Sequence, residues 1–325
     1  SAESGFFGTV VVEGKDNKIN VVSNGAIIKA VAGNDATQAS QAAFLIRGAG
    51  NTINFQNSAA QIVTEGANAY EVAVKSDIAA STKLIKGGKE QTLVAEAKGY
   101  QFYSLEEAVR FAGNNGTTKV VSDIELAQTL TIAADDTKTL DLNGKTISAN
   151  ITEQLTKSFA AICNKGTLTV KDTTADGKIS VSYAGNTFGY GMGLYTISNE
   201  GGVLNIEGGT IENLCTVSGS MYDAIDNNST STDAVVTVVS GAVTASGSNY
   251  YDGIRQFCNS ETKENDVYVV GGEVSTIWMQ NPSDGATKNT KDVNGYVAIS
   301  GGTVGVLSLE PSANFDAAVT GGHVG

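Results

Sequence analysis

Two short phrases hold the side chains best suited to chemistry: "SMYDAIDN", residues 220–227, and "NYYDGIRQFCN", residues 249–259. Each contains a tyrosine followed by an aspartate, Tyr222–Asp223 and Tyr251–Asp252, and the second adds Arg255. If the phrases lie on neighbouring coils, with a three-residue insertion before Asn259, the two aspartates come within about 5 Å. At that range one carboxyl is expected to have a raised pKa unless Arg255 or a cation compensates. Adjacent tyrosines can stack on sugar rings while the acids bond to hydroxyls. Tyr222, Asp223, Tyr251, Asp252 and Arg255 therefore form the candidate glycan-contact face. Against this, tyrosine and aspartate at loop corners also serve as solvated surface over buried rings.

The placement of that face depends on a repeat in the second half of the chain. The phrases "LDLNGKTIS", "LTVKDTTADGKIS", "LNIEGGTIE", "VTVVSGAVT", "VYVVGGEVS", "VAISGGTVG" and "AAVTGGHVG" share apolar alternation and a glycine. The marker glycines Gly144, Gly177, Gly209, Gly241, Gly272, Gly302 and Gly322 are spaced by 33, 32, 32, 31, 30 and 20 residues. Such a period means stacked repeats. A β-branched residue follows each glycine: Ile147, Ile179, Ile211, Val243, Val274, Val304 and Val324. Each copy thus reads as strand, tight turn, strand. A helical repeat would show apolar spacings of three and four, and each interior glycine would cost it about 1 kcal/mol.

A second row consists of "AICN", "TISN", "AIDN", "QFCN" and "WMQN", placing Asn164, Asn199, Asn227, Asn259 and Asn281 in one column. Glu310 of "LSLEPS" takes the corresponding place in the next copy. Stacked amides can hydrogen-bond from coil to coil and tolerate the bent backbone of a turn.

This column resembles the asparagine ladder of right-handed parallel β-helices, the pectin-lyase-like fold. The phrases "TLDLNGKTI", "GTLTVKDTTADGKI" and "NIEGGTI" look like the repeats of such proteins from Gram-positive, often gut-dwelling, bacterial surfaces and from phage particles. The resemblance covers about residues 100–325 and implies an all-β solenoid of about seven or more coils. It starts at "YQFYSLEEAVRFAGNNGTTKVVSDIEL", where a helix over 104–113 is expected to cover the first open coil. Ser104 and Glu107 have capping-box spacing, and Leu105, Ala108, Val109 and Ala112 make one apolar face. Polygalacturonase-like sites in this fold use several aspartates with a histidine, yet the only histidine is His323, near the end of the chain. Pectate-lyase-like sites hold calcium on clustered carboxylates with a basic residue; Asp223, Asp226, Asp252 and Arg255 are the nearest approach. No catalytic residue, metal ligand or cofactor is assigned on these grounds.

Residues 1–98 carry β-like runs such as "GTVVVEG", "AIIKAVAG" and "YEVAVKS" without a persistent marker column. They read as a separate small β-rich attachment module, or alternatively as irregular β-helix coils, with the boundary in "KGGKEQTLVAEAKG", residues 86–99. Residues 99–325 form the parallel β-helix. Composition agrees: 325 residues include 38 glycines, 2 prolines and only 17% charged residues, where about 25% charged is usual for globular chains. The net charge of −13, with basic residues scattered, argues against a nucleic-acid partner. No apolar run is long enough for a membrane span. The opening "SAESGFFG" is expected after removal of a secretion signal or an initiator methionine. Cys163 and Cys258 fall in one column three coils apart, roughly 14 Å, so with Cys215 they are expected as free thiols. Trp278 is expected at the surface or a bend and Met279 inside.

Two functions fit. The first is a non-catalytic structural or adhesive protein on a bacterial surface or virion. Its partners would be other subunits of the assembly, a trimer by analogy with fibre-like β-helices. The second is a polysaccharide-binding or polysaccharide-degrading protein using the Tyr–Asp face.

Overall fold

A strand that is apolar on every second residue needs a second surface to cover its inner face. In the computed structural model the chain supplies that surface by winding parallel β-solenoid turns, about nine in all. The structure describes residues 5–34, 38–57, 59–185, 192–217, 221–229, 232–246, 252–258, 262–280, 294–310 and 315–325. Two units emerge, Ser1–Ser122 and Asp123–Gly325. Among the described residues no helix is long and apolar enough to cross a membrane.

In the second unit the sequence columns become hydrogen-bonded columns. Ile147 pairs with Ile179, and the row continues through Ile211, Val243, Val274, Val304 and Val324 without a slip. A second inner row runs Leu140, Val170, Ile206, Val238, Val269, Ile299 and Val319. Except for Val319, the members of this row are buried, and each buried aliphatic side chain contributes roughly 1.5–3 kcal/mol.

The marker glycines sit at the corners for a steric reason. Gly302 has φ +71°, and a Cβ there would lie 2.5 Å from the Gly272 carbonyl oxygen of the preceding turn. Gly302→Ala is expected to lower stability by at least about 2 kcal/mol, combining left-handed strain with that clash. Urea denaturation would show it; an unchanged midpoint would mean the corner gives way. Gly177 is the exception, because Ala175 and Asp176 take the left-handed conformation in its place.

The amide column needs correction. Asn164, Asn199 and Asn227 do pair in succession, but the next members are Gln256, Met279 and Leu309. Asn259 and Asn281 are not in this register and lie outside the described residues. Ile225 pairs with Ile254 and Ile254 with Ile277, so Asn281 falls two residues past the column. A two-residue slip leaves every side chain on the same face, so alternation cannot detect it. Glu310 likewise falls one residue beyond Leu309.

The ladder is strongest where it is asparagine. Asn164 Nδ2 donates to Asn199 Oδ1 at 2.7 Å, and Asn199 Nδ2 to Asn227 Oδ1 at 2.8 Å. Asn199 Nδ2 also reaches the carbonyls of Gly202 and Val235. Gln256, one methylene longer, turns its Nε2 to the carbonyls of Asn265 and Tyr296.

The described strands between residues 5 and 86 stack as parallel coils. Phe6–Val12, Ser40–Ile46 and Ala69–Lys75 stack in parallel, as do Lys18–Val21, Thr52–Phe55 and Lys83–Lys86. Buried Asn51 ties one corner, accepting from Asn17 N and donating to the carbonyls of Gly14 and Gly48. Segment 86–99, expected to hold the boundary, is folded. It forms two tight hairpins at Gly87–Gly88 and Lys98–Gly99, where positive φ at both residues suits a two-residue turn.

Helix α1 (Leu105–Ala112) follows, with Ser104 Oγ accepting from Glu107 N at 3.3 Å. Only half the capping box forms, because the Glu107 carboxylate instead accepts from Glu71 N at 2.8 Å. The predicted face is buried together with Phe111. Phe111 joins Phe6, Tyr70, Tyr100 and Phe102 in an aromatic cluster of the first unit.

Candidate functional site

Strand Met221–Ser229 lies between strands Gly193–Glu200 and Ile254–Cys258, and strand Glu273–Gln280 follows. Asp223 and Asp226 are three residues apart, so regular alternation would send them to opposite faces. Both instead meet Arg255. The break falls between them, where Ala224 and Ile225 are both fully buried and the ladder omits the Thr196–Ala224 pair. The outer side of the sheet there gathers Tyr195, Asp223, Asp226 and Arg255.

Arg255 organises this cluster. Its Nε and Nη2 donate to Asp226 Oδ1 at 3.1 and 2.8 Å, and Nη2 also donates to the Tyr195 hydroxyl at 2.8 Å. Asp223 Oδ2 lies 3.1 Å from Nε as an ion pair without hydrogen-bond alignment. The guanidinium packs 5.4 Å from the Tyr195 ring centroid and 4.9 Å from that of Phe257. Asp252 stands beside Asp223, two residues before the neighbouring strand Ile254–Cys258, and its carbonyl accepts from Ala224 N at 3.0 Å. Asp252 Oδ2 is buried with no hydrogen-bond donor.

The electrostatics follow from one cation among three buried acids. Burial raises the Asp223 carboxyl well above the usual value; Arg255 opposes this, while Asp252 and Asp226 add to it. Burial also raises Asp226 against the pull of Arg255. The same two influences leave Asp252 at about 6. Burial works against the charge on Arg255, and Asp226 and Asp223 more than reverse it.

A carboxyl raised on folding binds its proton more tightly in the folded than in the unfolded chain. Its contribution is therefore fully present below the unfolded value of 3.8 and is lost as pH rises through about 6 for Asp252. For Asp252, raised from 3.8 to about 6, this corresponds to on the order of 2–3 kcal/mol. Glu107, pushed by burial to about 7, acts in the same direction. The denaturation midpoint is therefore expected to be higher at pH 5 than at pH 8. A midpoint that rises with pH would contradict this electrostatic picture.

The structure thus brings together Asp223, Asp252 and Arg255 of the candidate face. Their exposures are 1%, 6% and 3%, so they do not form an open surface. Tyr222 is fully buried and packs with Ala161, Leu194 and Cys215, which removes it from any sugar-stacking role in this arrangement. Tyr251 lies outside the described residues. Tyr195, in strand Gly193–Glu200, lies outside the two Tyr–Asp phrases and was therefore not among the candidates. Asp226 was visible in "AIDN", but its convergence with Asp223 required the alternation break.

Met279 is buried and Trp278 half-buried, as alternation requires. Cys163 and Cys215 are free thiols. Cys258 pairs along the backbone with Ser229, whereas the Cys163 column continues through Ser198, Asp226 and Arg255. The two cysteines therefore do not share a column. Among the described residues no group of three or more histidine, cysteine or acidic side chains is arranged to hold a metal ion.

Parallel β-solenoid is the class that this fold defines. Comparison with protein-family models, curated proteins and solved structures finds no match.

Proposed function

We propose that this chain is a non-catalytic structural or adhesive protein, displayed outside the cell on a bacterial surface or on a virion, with its solenoid as a projecting shaft. The observation that carries this reading is the burial of Asp223, Asp226, Asp252 and Arg255 against one another. Side chains with the best claim to chemistry are enclosed, with Arg255 engaged by Asp226 and Asp223. The solenoid repeats, which resemble those of surface and virion β-helices, support the same role. Its partners would then be further subunits of the same assembly.

A second reading, polysaccharide binding or cleavage, draws on Asp252. A buried carboxyl at about 6, with Oδ2 lacking a donor, has the protonation behaviour of a general acid. Light scattering of acidic and neutral polysaccharides incubated with the purified chain separates the two. Intact polymers and a defined protein oligomer are the expected result. Shortened polymers, with cleavage abolished in a folded Asp223→Asn/Asp252→Asn variant, would overturn the structural reading.

A further inference from the structure

The first unit contains a cleft of about 300 Å³ beside the N-terminal turn of α1, lined also by strands Ala69–Lys75 and Lys83–Lys86. That volume lies at the small end of the range for ligand pockets. Each cation already has an acidic partner: Lys86 Nζ is 2.9 Å from Glu71 Oε2, and Arg110 lies 3.9 Å from Glu106 and 3.8 Å from Glu107. An anionic ligand would have to displace one of these carboxyls, and a cationic one would have to compete with Lys86 and Arg110 for them. A hydroxyl would not, because it can accept from the cation and donate to the anion of the same pair. Val72 and Leu84, both buried, supply apolar lining, and the half-buried Tyr103 adds an aromatic ring.

Apolar lining, an aromatic side chain and paired donors and acceptors match the two characters of a sugar ring, apolar across its C–H face and polar at its rim. We propose that this cleft binds one uncharged sugar residue. Glu107 suits that role, since its buried carboxyl keeps one oxygen on Glu71 N and populates both protonation states near neutral pH. It can therefore donate to or accept from a hydroxyl. None of these residues belongs to the Asp223–Arg255 cluster, so this site and the proposed function stand or fall separately.

Saturation-transfer NMR on the full chain tests the site, with glucose, galactose, mannose and N-acetylglucosamine as probes and galacturonic acid and glucosamine as charged counterparts. Transfer to at least one neutral sugar is expected, exceeding that to the charged pair. Affinity should fall at least tenfold in Tyr103→Ala and in Lys86→Met. Lys86 is partly exposed, so its variant decides the matter even where Tyr103→Ala fails to fold. No transfer to any neutral sugar, stronger transfer to the charged ones, or undiminished binding in Lys86→Met would each overturn the proposal.

Discussion

Arg255→Met is expected to destabilise the fold by about 3–5 kcal/mol at pH 7.5, the cost of leaving buried charges without their partner. Among the described residues the guanidinium is the one cation bonded to Asp226 and ion-paired with Asp223, and it is 3% exposed. Methionine fills a similar volume, so most of the loss would be electrostatic. The same substitution should cost markedly less at pH 5, where the orphaned acids take up protons, and adding Asp223→Asn should recover part of the loss at pH 7.5. Denaturant unfolding at the two pH values measures both effects. An equal cost at each pH would show that Arg255 acts through packing alone.

Asn199→Leu should be nearly as damaging. Asn199 accepts from Asn164 and donates to Asn227, Gly202 and Val235, so leucine of similar size leaves polar groups unpaired on several sides. Each orphaned group costs about 1–3 kcal/mol, giving a loss of about 3 kcal/mol or more. Asn164→Leu should cost less. Asn164 Oδ1 already lacks a donor, and its neighbour on the preceding turn is Ile132. Urea denaturation of the two variants provides the comparison, and equal losses would mean that the amides act as independent turn formers and not as a connected ladder.

The architecture of the second unit was legible because its inner columns repeat one residue class at one interval. The row from Ile147 to Val324 follows the marker glycines in the sequence and pairs in that same register. The polar column was legible only to Asn227. Beyond it glutamine replaces asparagine, and matching asparagines by identity carried the alignment to Asn259 and Asn281. In the first unit the offsets change from 34 residues, Phe6 to Ser40, to 28, Gln41 to Ala69, so no single period could emerge. The acid cluster was half legible. Tyr222 and Asp223 were chosen together as neighbours, yet strand geometry sends adjacent side chains to opposite faces. Asp223 faces Arg255 and Tyr222 enters the core. Burial of the cluster depends on tertiary packing, for which the phrases themselves carry no signal.

The ladder, bounded by Ile132 and Met279, gives the turns a fixed order of succession. An aliphatic turn could be duplicated beside another aliphatic turn with its inner surface still satisfied. A turn carrying Asn199 has only two compatible neighbours, those carrying Asn164 and Asn227. Transposed next to Leu309, its amide would face hydrocarbon. Growth or loss of repeats in this lineage should therefore concentrate at the aliphatic end of the stack, leaving the amide-bearing turns as a block inherited whole.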